Sequence, residues 1–160
     1  VFQAADLVGK YLTFALGNEE YSVPVLKVRE IIKIMDITTV PQVPEYVKGV
    51  VNLRGKVIPV VDLRLKFGFP PQAYTERTCI IVVEVMLQAA GRISMGIIVD
   101  HVLEVLNVAA EEIEQTPEFG EAVETDYMKG IAKVRGRVKI LLDLDRVLGV
   151  DGTIVMPSAA

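Results

Sequence analysis

KGVVNLRGKVIPVVDLRLKFG, residues 48–68, returns 81 positions later as KGIAKVRGRVKILLDLDRVLG, residues 129–149. The two stretches align without a gap, and eight of their 21 positions are identical. Chance would give about one identity, so this is an internal duplication. Within each copy, two apolar runs flank an Arg-Gly pair, the pattern of a β-hairpin whose glycine adopts a positive φ. Asp62 and Asp143 then precede a short helical turn, where a carboxylate accepts the free N–H groups. Their presence in both copies marks them as caps rather than as a catalytic acid pair. Residues that differ between the copies are the better functional candidates: Asn52, Arg64 and Lys66 in the first, Lys133, Asp145 and Val147 in the second.

Outward from the repeat, strand signals recur about every ten residues. Residues 11–16 and 21–24 form a hairpin across Gly17-Asn18, ended by Pro24. Val25, Val28, Ile31, Ile32 and Met35 fall at helical spacing, which predicts a short amphipathic helix over 26–34. A helical turn over 63–67 is stopped by Gly68 and Pro70-Pro71. Residues 79–86 and 93–99 form a third hairpin. A weaker echo links 25–32 with 99–106 through Val28/Val102 and Glu30/Glu104. The pattern predicts an all-β protein with a few short helices, in two similar barrels packed side by side. One larger barrel that reuses a hairpin is the alternative. The expected unit spans 10–150, with halves 10–78 and 79–150 that can exchange a terminal strand, and a flexible tail over 151–160.

The bulk composition narrows the function. The chain has 160 residues, 51% hydrophobic, with no Trp and a net charge of −4. That balance argues against broad nucleic-acid binding, which needs many basic groups. Charge is nonetheless segregated: residues 48–68 hold five Lys or Arg, whereas 100–128 hold nine Asp or Glu and no Lys or Arg. Opposed patches suit partner steering; a solvated acidic loop is the other reading. The lone His101 and lone Cys79 supply no metal site, and Cys79 reads as a buried structural thiol. No phosphate loop, nucleophile elbow or dinucleotide fingerprint occurs. The chain therefore reads as non-catalytic, without cofactor or metal. One cysteine and the absence of a signal pattern suggest a cytoplasmic setting, and no apolar run is long enough to span a membrane.

KYLTFALGNEEYSVPVLKVREI (10–31), VPEYVKGVVNLRGKVIPVVDLRLKFG (43–68), SMGIIVDHVLEVL (94–106) and TPEF (116–119) together resemble the CheW-like domain family, with its free-standing chemotaxis coupling proteins as the best match. The resemblance implies two five-stranded SH3-like barrels and an adaptor without enzymatic activity. Its implied partners are the cytoplasmic tip of a chemoreceptor and the regulatory domain of the histidine kinase CheA, joined in arrays at the inner face of the membrane, where weak self-association also fits. By the same resemblance, Val28, Glu30, Lys48, Gly49 and Arg54 belong to the receptor face. Ile80 and Phe119 are placed on the kinase side. Glu114 departs from the basic residue of some relatives, and no C-terminal helix is evident after Val150. Arg54 also has a twin, Arg135, so a purely structural tie remains open for it. Two other function classes compete: a single-stranded nucleic-acid binder, which needs exposed aromatics, and a small hydrolase built on Cys79. The cluster Tyr11, Phe14 and Tyr21 is spaced for a core, against the first.

Overall fold

A computed structural model describes residues 2–87, 91–117 and 127–149. Phe119, the acidic residues 118–126 and the expected tail lie outside them. Eleven strands and two short helices are described: β1 (Gly9–Leu16), β2 (Glu19–Pro24), β3 (Val28–Lys33), β4 (Val47–Leu53), β5 (Lys56–Asp62), α1 (Leu63–Lys66), β6 (Cys79–Leu87), β7 (Gly91–Val99), β8 (His101–Val108), β9 (Ile113–Glu114), β10 (Met128–Val134), β11 (Arg137–Leu142) and α2 (Leu144–Gly149). They form two sheets, ordered β8-β1-β2-β11-β10-β9 and β3-β6-β7-β5-β4. The architecture is mostly β with few short helices, as the sequence predicts.

The hairpin turns follow from residue type. Arg54-Gly55 and Arg135-Gly136 all have positive φ (53°, 85°, 53° and 77°). Two left-handed central residues are what a tight hairpin turn requires to match strand twist. The strain therefore falls on the arginines as well as on the glycines. Asp62 caps α1 by accepting from the backbone N–H of Arg64 and Leu65, and Asp143 accepts from that of Arg146.

Two expectations need correction. Residues 28–33 form a strand; only Val25–Lys27 makes a helical turn. The apolar spacing over 26–34 fits a helix because a bulge interrupts a strand. Val28 faces Val83, yet Glu30 faces Val82, leaving Arg29 as the extra residue. The bulge turns Val28 toward the central core and Ile32 toward the interior of its barrel, which mimics helical periodicity. The weaker echo carries the same device: Val102 faces Phe14 and Glu104 faces Thr13, with Leu103 extra.

The second correction concerns the halves. The β1-β2 hairpin belongs to the sheet built by β8–β11, and β6-β7 belongs to that of β3–β5. The chain exchanges whole hairpins. Each imported hairpin joins its host by a parallel seam, β2 with β11 and β7 with β5. A sequence repeat marks contiguous units, and pairing across the chain leaves no trace in it. The sheets nevertheless match strand for strand: β3 with β8, β6 with β1, β7 with β2, β5 with β11 and β4 with β10. Even β9 has a counterpart, the single bridge of Thr38 to Val50.

Three apolar layers result. Tyr11, Leu106, Ala132 and Leu141 fill one barrel; Val51, Ile58, Val82 and Ile98 fill the other. Phe14, Leu16, Val61, Ile81, Met95 and Leu148 fill the space between them. Tyr11, Phe14 and Tyr21 are all buried, as their spacing suggests. Cys79 is only half-buried, and its thiol donates to the Arg77 carbonyl at 3.2 Å.

Candidate partner-binding face

Arg54 projects from the β4-β5 turn onto Glu30 of β3 and forms an ion pair with it. The second copy repeats this contact, with Arg135 bound to Glu104 at 3.1 Å. Glu30 is held in place by the Arg29 bulge, and Arg54 by its left-handed turn. The pair is largely solvated, with 69% of the Arg54 side chain exposed, so it ties the hairpin only weakly and leaves guanidinium N–H groups for a partner.

The other receptor-side candidates lie apart from it. Val28 is half-buried against the central core. Lys48 and Gly49 sit at the opposite end of β4, about 20 Å of strand from Arg54. Lys48 is the extra residue of a second bulge, between Val47 and Gly49. Gly49 is buried with φ 139°, and a Cβ there would stand 2.0 Å from the Thr38 carbonyl oxygen. Its role is conformational: it lets the chain at Thr38 cross over β4. Arg54, joined by Glu30 of β3, and the pair Lys48-Gly49 thus lie at opposite ends of β4, with Val28 on β3 facing the central core.

Ile80, expected on the kinase side, is fully buried in its barrel. A Cβ added at Gly96 would lie 2.7 Å from its side chain, so β7 is packed hard against it.

Two of the copy-specific residues, Arg64 and Asp145, prove to be internal struts. Arg64 binds Asp100 at 2.7 Å, and Asp100 also accepts the Gly17 backbone N–H. At the corresponding place in the other copy, Asp145 binds Lys27 at 3.4 Å and accepts the Met86 N–H. Each short helix thereby clamps a crossover and a hairpin end. Asn52 accepts from Gly55 within its turn, Lys66 lies over the Tyr46 ring, Lys133 pairs with Glu114, and Val147 is buried.

The sequence reading missed what lies beneath the two Arg–Glu pairs. In the β1–β2 barrel, Lys139 is buried and bonds to Glu20 at 2.5 Å, with Glu104 at 3.8 Å. Arg137 reaches the same Glu20. Burial alone would raise the Glu20 carboxyl, but the hydrogen bonds and charges of Lys139 and Arg137 carry it below its ordinary value. In the β6–β7 barrel the positions of Lys139, Arg137 and Glu20 are held by Ile58, Lys56 and Ser94. There the space stays open as a groove of ≈ 390 Å³. The signal lay in the repeat itself, in Ile58 against Lys139.

Among the described residues, no group of His, Cys, Asp and Glu is placed to hold a metal ion. No helix among them is long and apolar enough to cross a membrane.

The CheW-like domain family model matches residues 10–151. The chain belongs to the CheW-like domain family. It is 37% identical over 158 residues to the chemotaxis protein CheW of Klebsiella aerogenes, covering 98% of this chain and 92% of that one. Against the chemotaxis protein CheW of Bacillus subtilis it is 37% identical over 140 residues, 87% and 86% of the two chains. The crystal structure of the scaffolding protein CheW from Thermoanaerobacter tengcongensis superposes with a TM-score of 0.81 at 34% identity, covering 93% and 98%. A CheW-like domain thus accounts for nearly all of the chain.

Proposed function

We propose that this protein is a non-enzymatic chemotaxis adaptor that couples the cytoplasmic tip of chemoreceptors to the regulatory domain of the histidine kinase CheA. The observation that carries this reading is the full-length likeness to CheW proteins, one of them described as a scaffolding protein. The receptor face is Val28, Glu30, Lys48 and Arg54, with Gly49 shaping the loop. The kinase side is Phe119 and the surface that Ile80 supports from within. A helical receptor tip suits this face: it offers an apolar stripe to Val28 and polar groups to Arg54. The setting is the cytoplasmic side of the membrane, in receptor arrays.

Reconstitution tests the proposal. The wild-type protein should bind both a receptor-tip helical hairpin and the CheA regulatory domain, and should bring receptor and kinase into one complex. Arg54→Ala should weaken the hairpin alone, by about 1–3 kcal/mol, as for a charged hydrogen bond. A wild-type protein that binds neither partner would sink the reading. Equal hairpin affinity in Arg54→Ala would remove Arg54 from the face.

A further inference from the structure

We infer that the open mouth of the β6–β7 barrel is a docking slot for a carboxylate side chain of the partner helix, which takes the place Glu20 fills in the other barrel. The inference rests on the receptor-face reading, since Glu30 and Arg54 form one wall of the slot.

The duplication supplies the template. Where Arg137 stands in one barrel, Glu20 meets it and also neutralises Lys139. Where Lys56 stands in the other, Ser94 replaces the glutamate, and Lys56 has no ion-pair partner among the described residues. Ile58 replaces the lysine that plugs the twin, so the slot keeps an apolar floor of Ile58 and Val82. Such a floor suits the methylene stem of a glutamate.

Charge points the same way. Arg29, Arg54, Lys56 and Arg92 border this groove and the one adjoining it, against Glu30 and Glu84 alone. Both carboxylates are already engaged: Glu30 by Arg54, and Glu84 by Arg29 and Arg92. The surplus is cationic, in a chain whose net charge is −4. An acidic partner group therefore gains both a free ammonium and a field that draws it in.

The test borrows the twin's own solution. Ser94→Glu places a carboxylate beside Lys56 within the chain; Lys56→Gln removes the ammonium. The probes are a receptor-tip helical hairpin and the same hairpin with its glutamates changed to glutamine, titrated at low salt into the full chain. Each variant should bind the acidic hairpin about tenfold more weakly than wild type, while wild type and variants should bind the amide hairpin alike. If Ser94→Glu disturbs the fold by NMR, Lys56→Gln decides. Binding of the acidic hairpin within twofold of wild type, with Arg54→Ala still weakened, would overturn the slot and leave the receptor face standing. A wild-type protein that ignores the acidic hairpin would remove the receptor face and the slot together.

Discussion

The two barrels share a backbone plan and an Arg–Glu pair at the rim, yet one mouth is closed by a buried Lys139–Glu20 pair and the other is floored by Ile58 and left open. The common parts are those the plan needs: left-handed Arg-Gly turns, the aspartate caps, and bulges at Arg29 and Leu103. What differs beneath the rim is free to specialise. The comparison also bears on Arg54. Its recurrence as Arg135 shows that the plan puts an arginine there; the two side chains are about equally exposed, and the difference is the open mouth beside Arg54.

The sharpest way to break the comparison is at Lys139. Lys139→Ala leaves Glu20 buried beside Arg137 alone, and urea unfolding should show a loss of about 3–5 kcal/mol. The double change Lys139→Ile with Glu20→Ser gives the closed barrel the composition of the open one and should restore stability to within about 1 kcal/mol of wild type or raise it. A Lys139→Ala protein as stable as wild type would show that the buried pair closes nothing.

Next in size are the glycines under the crossing strands. Gly49→Ala should cost about 1–3 kcal/mol from its strained φ, besides the clash with the Thr38 carbonyl. At Gly130 an added Cβ would stand 3.1 Å from the Glu114 carbonyl oxygen, and φ is not positive there. Gly130→Ala should therefore cost less. Thermal unfolding of the two variants side by side checks the order.

Acid should separate the barrels as well. Glu20 is depressed when folded, so its stabilising contribution is complete above the ordinary carboxylate range and fades as pH falls through its folded value. Glu20→Gln should be less stable than wild type at neutral pH, with the gap closing on acidification. A gap that persists at low pH would assign the loss to packing. The smallest effect is expected at the rims: Arg54→Ala and Arg135→Ala should each cost no more than about 1 kcal/mol of stability, although only the first should impair partner binding.

Much of this was legible in advance, for particular reasons. The β4-β5-α1 and β10-β11-α2 units could be read because turn, cap and alternating apolar residues are local signals. The strand β3 was hidden because its bulge shifts an alternating pattern into helical spacing. The hairpin exchange was hidden because pairing between Lys139 and Glu20 spans 119 positions. Of the candidate site, Glu30 and Arg54 meet as a pair, whereas Lys48 and Gly49 lie at the far end of β4. Ile80 was assigned by resemblance, and an apolar strand does not declare which of its residues face out; this one is buried.

The exchange of hairpins carries a consequence for how the chain reaches its native state. Severed between 78 and 79, each fragment would lack the middle of its own sheet, so neither should fold alone and only the mixture should reassemble. For the intact chain, both parallel seams join segments distant in sequence, and loop closure must precede the pairing that rewards it. Folding on a timescale of about milliseconds to seconds follows, with both β8 and β11 required before the β1-β2 hairpin is flanked on its two sides.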